Sequence, residues 1–225
     1  MSDAERRFTS VPVEIRAGSS DKRTIGGYAA KFDRMSQNLG GFVERIAPGF
    51  FNKSRGDGWP GVIARYNHDD NMVLGTTGGG TLRLSVDEIG LAYEADVPVA
   101  RADVYELIQR GDVRQSSFAF IPFEDDWSTS DQGFPLRTLI SGRLMDVAPV
   151  NTPAYEDTSV GLRSIDGALE SLARKFEADV AEVRKMAEAN ELTRFFKRTD
   201  NTGQSAADVR RSAQAALAKV QSLRS

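Results

Sequence analysis

Three residues of the sequence carry side chains that could support acid–base and nucleophilic chemistry, and the first is a histidine. His68 is the only histidine in the chain, and it lies in residues 66–70, shortly after an apolar segment at residues 62–64. If the protein uses an imidazole as a general base near neutral pH, that base must be His68. On position alone, a loop histidine beside two aspartates is more typical of a solvated surface residue.

Ser117 is the hydroxyl best suited to act as a nucleophile. It lies in residues 110–120, where a predicted helix ends and a strand begins, and Phe118 follows it directly. A serine held beside bulky side chains on a strand can keep one rotamer, as a nucleophile requires. Ser116 offers a second hydroxyl, and serines in strands are often purely structural, so these alternatives stay open. The chain lacks a G-x-S-x-G sequence, which argues against an α/β-hydrolase.

Asp146 is an acidic residue within the apolar segment of residues 144–150. If its side chain turns inward it needs a partner, because burying an unpaired carboxylate costs free energy. A histidine whose ring must be oriented is one such partner. The alternative is that Asp146 points into solvent, and its position in the sequence is compatible with both arrangements.

Two further patterns are suggestive but weak. Residues 75–81 are rich in glycine, but they lack the G-K-[ST] end of a phosphate-binding loop and precede no predicted helix. They are interpreted as a flexible loop between strands. The acidic residues 124–126 could bind a hard cation, although a solvated turn is the more ordinary role of such a cluster. Neither pattern predicts a cofactor or a metal site.

The composition excludes several classes of protein. The chain has 225 residues and no cysteine, so disulfides, thiol catalysis and iron–sulfur clusters are excluded. A zinc site is nearly excluded, because only one histidine is present. The net charge of −3 argues against general nucleic-acid binding. Residues 1–8 lack a signal-peptide core, and no apolar run reaches the roughly 20 residues that span a bilayer. The sequence therefore predicts a soluble protein of a reducing cytoplasm.

Short apolar segments separated by glycine and proline dominate the first 164 residues and predict an antiparallel sheet or barrel. Residues 87–90 are typical of a turn between two of the strands. Residues 102–110 predict a helix, because their apolar residues share one face and Gly111 follows as a stop. The predicted strands are residues 11–16, 24–32, 42–46, 62–66, 81–86, 91–97, 116–123 and 143–150.

The composition changes near Ser164 and predicts two parts, a folded domain in residues 1–164 and a helical tail in residues 165–225. All eight prolines precede this point. After it, a polar break at residues 199–204 precedes a second predicted helix from Ser205. The tail is predicted to be a targeting and assembly appendage, without which residues 1–164 fold alone. Apolar residues at steps of three and four predict that its first helix needs a partner; they are Ile165, Leu169, Leu172, Phe176, Val180 and Val183.

Several blocks of the chain together resemble a known family. Their order and spacing over residues 24–163 are similar to those of the prohead proteases of tailed bacteriophages. These are capsid-maturation serine peptidases that are related in fold to the herpesvirus assemblins. Any one block would be weak evidence, but the shared order of so many is specific. The blocks are residues 41–50, 67–69, 74–75, 80–84, 90–94, 110–112, 117–120 and 147–155.

The resemblance implies a role for each candidate residue and a fold for the chain. The Asn-His-Asp block implies that His68 is the general base, and the Ser-Phe-x-Phe block implies that Ser117, rather than Ser116, is the nucleophile. Asp146 stands where the family usually has a glutamate, and it is implied to be the third member, which orients the imidazole. The implied fold is α+β and mainly β: an assemblin-like antiparallel β-barrel flanked by helices, followed by the C-terminal helical tail.

The resemblance also implies a function. A protein of this kind is a prohead maturation serine endopeptidase that cleaves the scaffolding segment of the major capsid protein, and then itself, inside the immature capsid in the host cytoplasm. The implied partners are that capsid protein and further copies of the chain, with no cofactor, metal, nucleic acid or membrane. The tail would dock on the helical scaffold. The alternatives are a noncatalytic assembly factor that uses the same domain and tail, and a general cytoplasmic hydrolase.

Overall fold

The protein is α+β and mainly β, with 42% strand and 23% helix, which confirms the predicted class. A computed structural model describes residues 4–16, 22–151, 158–193 and 196. The strands are β1 (Glu5–Pro12), β2 (Glu14–Arg16), β3 (Thr24–Lys31), β4 (Val43–Ile46), β5 (Ile63–Arg65), β6 (Val73–Thr76), β7 (Leu82–Val86), β8 (Gly90–Asp96), β9 (Gln115–Thr129) and β10 (Pro135–Val150). The helices are α1 (Asn52–Gly56), α2 (Ala102–Arg110), α3 (Thr158–Lys175) and α4 (Val180–Glu188).

The described strands form two sheets. One sheet has the order β1-β9-β10-β5-β6, with β4 also beside β10, and the other has the order β2-β3-β8-β7. Strand β10 is antiparallel to β9 but parallel to β4 and β5. The predicted antiparallel barrel is therefore wrong in two respects: the described strands do not close into a barrel, and two of their pairings are parallel. The physical reason is the length of β10, which gives one edge to β9 and the other edge to two short strands in succession.

Most predicted elements are present, with changes at their ends. Helix α2 is confirmed, and it ends at Gly111, whose φ of 81° is a left-handed conformation that glycine adopts without strain. Strands β9 and β10 are longer than predicted because they pair with each other along most of their length. The pattern predicts neither β6 nor the first part of β1. Both lack a clear apolar alternation, and both are stabilised by pairing with β5 and β9 respectively.

Aromatic rings fill the core between the two sheets. Phe118 and Phe120 of β9 stack with centroids 5.1 Å apart, and Phe50 meets Phe120 edge to face at 5.3 Å. Gly142 of β10 lets Phe50 approach, since a Cβ at that position would lie 2.3 Å from the ring. Each fully buried ring is expected to contribute about 1.5–3 kcal/mol through burial. The alternate residues of β9 thereby hold the strand segment that carries Ser117.

A second core lies between the larger sheet and helices α3 and α4. Ile165, Leu169 and Leu172 of α3 are buried in it together with Phe42 and Trp127. The rings of Phe42 and Trp127 have centroids 5.0 Å apart, and the apolar side chains of α3 pack against them. The apolar residues that the sequence places on a single helix over 165–183 belong to two helices and the segment between them, because α3 ends at Lys175 and α4 begins at Val180. All six pack in this core, so their partner is the sheet of their own chain.

This packing bears on the predicted division at Ser164. Helix α3 (Thr158–Lys175) runs through that residue without a break. Residues of both helices therefore share a core with the sheet, and the division of the chain at Ser164 stays a prediction. The polar break at residues 199–204 and the second predicted helix of the tail lie outside the described residues.

Truncation after Ser164 is expected to destabilise the protein. It removes the apolar side chains that cover Phe42 and Trp127, and each large side chain lost from a core costs about 2–5 kcal/mol. Thermal unfolding followed by circular dichroism can compare residues 1–164 and residues 1–198 with the full chain. We expect a clearly lower melting temperature for the shorter fragment and little change for the longer one. Equal melting temperatures for residues 1–164 and the full chain would support the predicted boundary at Ser164.

A cluster of buried charges joins β1 to the rest of the larger sheet. Arg137 of β10 is fully buried and contacts Glu5 at 2.7 Å, Glu44 at 3.0 Å and Asp125 at 2.6 Å. Arg7 of β1 contacts the same Glu5 at 2.6 Å and Glu44 at 2.7 Å. Burial by itself raises the pKa of Glu5, but the two guanidinium groups outweigh it and hold that pKa below its usual range. We call these five residues the charge cluster.

Candidate active site

The structure brings His68, Ser117 and Asp146 into one hydrogen-bonded chain. His68 Nε2 lies 2.6 Å from Ser117 Oγ, and His68 Nδ1 lies 2.6 Å from Asp146 Oδ1. The residues come from the loop after β5, from the beginning of β9 and from the second half of β10. All three side chains are largely buried, which limits competition from bulk water for these hydrogen bonds. The groups are thus ordered as hydroxyl, imidazole and carboxylate.

A tight turn holds the histidine. Asn67 and His68 have φ values of 53° and 57°, in the left-handed region that asparagine tolerates better than most residues. The backbone N–H of Asn67 donates to the Pro149 carbonyl, and the side-chain oxygen of Asn67 accepts from the backbone N–H of Asn151. These two hydrogen bonds fasten the turn to the end of β10 and offset its backbone strain. They thereby fix the imidazole beside the sheet.

A β-bulge in β10 turns Asp146 toward the histidine. The pairing with β9 shifts by one residue after Leu144, so that Asp146 lies opposite Ala119. In the unshifted register Asp146 would lie opposite Phe118, on the face of the aromatic core. Residues opposite each other on paired strands share a face, as do residues two apart on one strand. The bulge therefore places Asp146 on the same face as Ser117.

Ser116 and Ser117 have different partners on the two faces of β9. Ser117 Oγ reaches His68, whereas Ser116 Oγ lies 3.0 Å from the hydroxyl oxygen of the buried Tyr93. Burial raises the pKa of Tyr93, so its hydroxyl stays protonated and can donate to Ser116. The geometry thus separates two hydroxyls that the residue pattern alone leaves as alternatives.

Arg65 is a member of the site that sequence reasoning misses. It ends β5, and its Nη1 donates to Asp146 Oδ2 at 3.2 Å and contacts Asp70 Oδ1 at 2.8 Å. Because Asp146 Oδ1 lies against His68, the two carboxylate oxygens have different partners, which fix the plane of the group. The signal in the sequence is weak, since a basic residue at the end of a short strand is common on protein surfaces.

Replacing Arg65 by glutamine is expected to lower the kcat of peptide cleavage about ten- to a hundredfold with little change in KM. Asp146 then loses the charged donor that fixes its plane, and a hydrogen bond to a charged group is worth about 1.5–3 kcal/mol. Arg65→Lys is the matched variant, and it should retain more activity because it keeps a cationic donor. Steady-state kinetics of both variants separate kcat from KM. An unchanged kcat in Arg65→Gln would show that Arg65 does not position Asp146.

Ser117 has a further neighbour on β1. Its Oγ lies 2.9 Å from the backbone carbonyl oxygen of Arg7, and the residue is only 4% exposed. Strand β1 runs antiparallel to β9, with Phe8 opposite Ser117. The first strand of the chain therefore lies directly along the edge of the strand that carries the candidate nucleophile.

The weaker candidates of the sequence have other partners. Asp125 pairs with Arg137 and Asp126 pairs with Lys175, so two of the three acidic residues 124–126 contact cationic side chains of the chain itself. The glycine-rich residues 75–81 form the end of β6 and the turn before β7. In the described part of the chain, no group of three or more acidic or histidine side chains could hold a metal ion. No helix among those residues is long and apolar enough to cross a membrane.

The arrangement allows a defined proton transfer. Asp146 can hold the Nδ1–H of His68, which leaves Nε2 as an acceptor for the proton of Ser117 when that oxygen attacks an electrophile. An α+β domain with a serine–histidine–carboxylate chain of this kind is typical of serine hydrolases.

Comparison with known families identifies the kind of serine hydrolase. The family described as caudovirus prohead serine protease matches residues 10–171, which is well over half of the chain. The chain therefore belongs to the caudovirus prohead serine protease family, which confirms the resemblance seen in its sequence. Family membership implies a serine protease of phage capsid maturation. No significant match was found among curated proteins or among solved structures.

Proposed function

We propose that this protein is a prohead maturation endopeptidase with Ser117 as nucleophile, His68 as general base and acid, and Asp146 as the group that orients the imidazole. The observation that carries the proposal is the pair of 2.6 Å contacts that join Ser117 to His68 and His68 to Asp146. Family membership supports the reaction class. The local structure supports the roles, because a fastened turn and a β-bulge are both needed to bring these three residues together.

In the first half of the reaction, Ser117 Oγ attacks the carbonyl carbon of a substrate peptide bond. His68 Nε2 takes the hydroxyl proton as the Oγ–C bond forms, and Asp146 stabilises the resulting imidazolium. His68 then gives this proton to the leaving nitrogen as the C–N bond breaks. The products of this half are an acyl-enzyme and a peptide with a new amino terminus.

In the second half, water attacks the acyl carbon of the ester on Ser117. His68 Nε2 accepts a proton from the water as the new C–O bond forms, and it returns that proton to Oγ as the ester bond breaks. The second peptide leaves with a new carboxyl terminus. Arg65 holds the Asp146 carboxylate throughout, so that the imidazole keeps the same tautomer between the two halves.

The proposed substrate is the scaffolding segment of the major capsid protein, cleaved inside the immature capsid, with cleavage of the enzyme itself to follow. The support for this substrate is family membership. A fold relation to the herpesvirus assemblins, self-association, a location in the host cytoplasm, and docking of the predicted tail, residues 165–225, on the scaffold remain predictions.

Co-expression with the major capsid protein of the same phage tests the proposed function. Intact-mass measurement should find the capsid protein shortened by its scaffolding segment when the wild-type enzyme is present. With Ser117→Ala the capsid protein should stay at full length, because loss of the nucleophile lowers the rate by roughly four orders of magnitude or more.

Ser116→Ala is the matched control for this experiment. Its hydroxyl contacts Tyr93 rather than His68, so the variant should still cleave the capsid protein. Cleavage by Ser117→Ala combined with none by Ser116→Ala would move the nucleophile by one residue. Normal capsid maturation without any cleavage of the capsid protein would favour the noncatalytic assembly factor.

A further inference from the structure

We propose that the substrate pairs with the edge of β9 as an extended strand. Strand β1 occupies this edge and competes with the substrate for it, so β1 must leave before a substrate is cleaved. This inference rests on the proposed function, because it takes Ser117 as the nucleophile. It deepens that function by naming both the form in which the substrate binds and the element that controls access to the site.

Strand β9 has one edge that a substrate could use beside Ser117. Its other edge is paired with β10, where Ala148 lies opposite Ser117. The first edge is paired with β1, from Glu5 opposite Phe120 to Thr9 opposite Ser116. Main-chain pairing at a sheet edge is a common way to bind an extended peptide. A substrate that reaches Ser117 by such pairing must take the place of β1.

The carbonyl of Arg7 competes with the general base for the proton of the nucleophile. A serine hydroxyl has one proton to donate, and Ser117 Oγ has two acceptors within reach. These are His68 Nε2 at 2.6 Å and the Arg7 carbonyl oxygen at 2.9 Å. While the proton is donated to Arg7, His68 cannot take it. Strand β1 therefore opposes the activation of the hydroxyl as well as covering it.

The orientation of this carbonyl indicates a competitor rather than a substrate. Attack requires that the carbonyl carbon face Ser117 Oγ and that the carbonyl oxygen point to other donors. Here the oxygen of Arg7 accepts a hydrogen bond from Oγ itself. The Arg7–Phe8 peptide is thus held against the nucleophile in a nonproductive orientation.

The charge cluster explains how β1 is held in this place. Glu5 and Arg7 are the only members of the cluster on β1, and they bind Arg137 and Glu44 of the sheet. With Asp125 the cluster contains three carboxylates against two guanidinium groups. Replacing Glu5 by glutamine equalises the charges and also weakens the attachment of β1 to Arg137. We therefore expect this substitution to loosen the attachment of β1 without leaving an excess charge in the interior, while Arg7 keeps its contact with Glu44.

One further observation agrees with a removable strand. The family match begins at residue 10, so residues 5–9, which cover Ser117, lie outside it. His68, Ser117 and Asp146 all lie within the matched range.

A reducible disulfide that holds β1 against β9 tests the inference. The chain has no cysteine, and Arg6 lies opposite Ala119, so Arg6→Cys with Ala119→Cys introduces a single disulfide between β1 and β9. We expect the oxidised variant to react with an alkyl fluorophosphonate at Ser117, and to cleave the capsid protein, at least about tenfold more slowly than the same variant reduced. The reduced form controls for the effect of the two substitutions on folding and activity.

Two matched variants complete the experiment. Arg83→Cys with Glu94→Cys joins another directly opposed pair, on β7 and β8, and its rates should not depend on oxidation. Glu5→Gln should react with the fluorophosphonate severalfold faster than the wild-type protein. A rate no faster than wild type in Glu5→Gln would contradict the proposed role of the charge cluster in holding β1.

The remaining outcomes separate this inference from the proposed function. Equal rates in the oxidised and reduced forms of the variant with Arg6→Cys and Ala119→Cys would overturn the competitor role of β1. Ser117 would remain the proposed nucleophile. Loss of residues 1–7, seen by intact mass, would make β1 a substrate and would also overturn that role. No labelling of Ser117 and no cleavage in any form would refute the proposed function, and the inference would fail with it.

Discussion

His68→Ala is expected to abolish cleavage of the capsid protein, with a loss of roughly four to six orders of magnitude in kcat/KM. Without the imidazole, the Ser117 proton has no general base to accept it, and a neutral hydroxyl is a weak nucleophile. The chain contains no second histidine that could take over this role. The measurement is the initial rate of capsid protein cleavage, followed by intact mass, with equal amounts of wild-type and variant enzyme.

The double variant with Ser117→Ala provides the control for this loss. Residues that act as a unit in catalysis have effects that do not add, so the double variant should be no slower than either single variant. Far-UV circular dichroism should show the same fold for all of them. Retained cleavage in a folded His68→Ala enzyme would refute the serine–histidine mechanism.

Arg137→Met is expected to lower the free energy of unfolding by about 3–5 kcal/mol. The guanidinium group is fully buried, and its removal leaves Glu5, Glu44 and Asp125 with only Arg7 as a positive member of the charge cluster. Urea unfolding at pH 7, followed by circular dichroism, measures the loss. The loss should shrink in acid, because protonation of the carboxyl groups removes the uncompensated charge.

The sign of this pH effect follows from Glu5. In the wild-type protein its pKa lies below the usual 4.5, although burial by itself would raise it, because Arg7 and Arg137 stabilise the carboxylate. A carboxyl group with a lowered pKa contributes stability above its unfolded pKa and loses that contribution as pH falls through its folded pKa. Without Arg137 this contribution is reduced, so the two stability curves should approach each other below about pH 4.5.

Arg83→Met is the matched control for the buried arginine. Arg83 makes ion pairs with Glu94 and Asp96, but its side chain is 46% exposed. Exposed ion pairs contribute little, so the expected loss is below about 1 kcal/mol. If Arg137→Met and Arg83→Met lose similar free energies of unfolding, then burial is not the reason that the charge cluster stabilises the protein.

The sequence by itself singled out the three residues that meet in the site. His68 could be selected because it has no rival, and the spacing of the blocks around it and Ser117 was specific enough to indicate the family. Helix α2 and the apolar face of α3 were also predictable, because a repeat of three to four residues and a glycine stop are local signals. The mainly β class followed from short apolar segments divided by glycine and proline.

Only the tertiary structure decided how these residues face one another. The bulge after Leu144 decides which face of β10 carries Asp146. Ser116 and Ser117 lie on opposite faces of β9 and therefore have different partners. Arg65 of β5 belongs to the site because it contacts Asp146 of β10. The position of β1 against Ser117 and the packing of α3 on the sheet were decided in the same way. Register and packing between distant segments depend on the sum of many weak contacts across the fold, and a shift of one residue turns a side chain to the other face of a sheet. Local residue patterns identify the residues of this site, but the contacts that bring those residues together exist only in the folded chain.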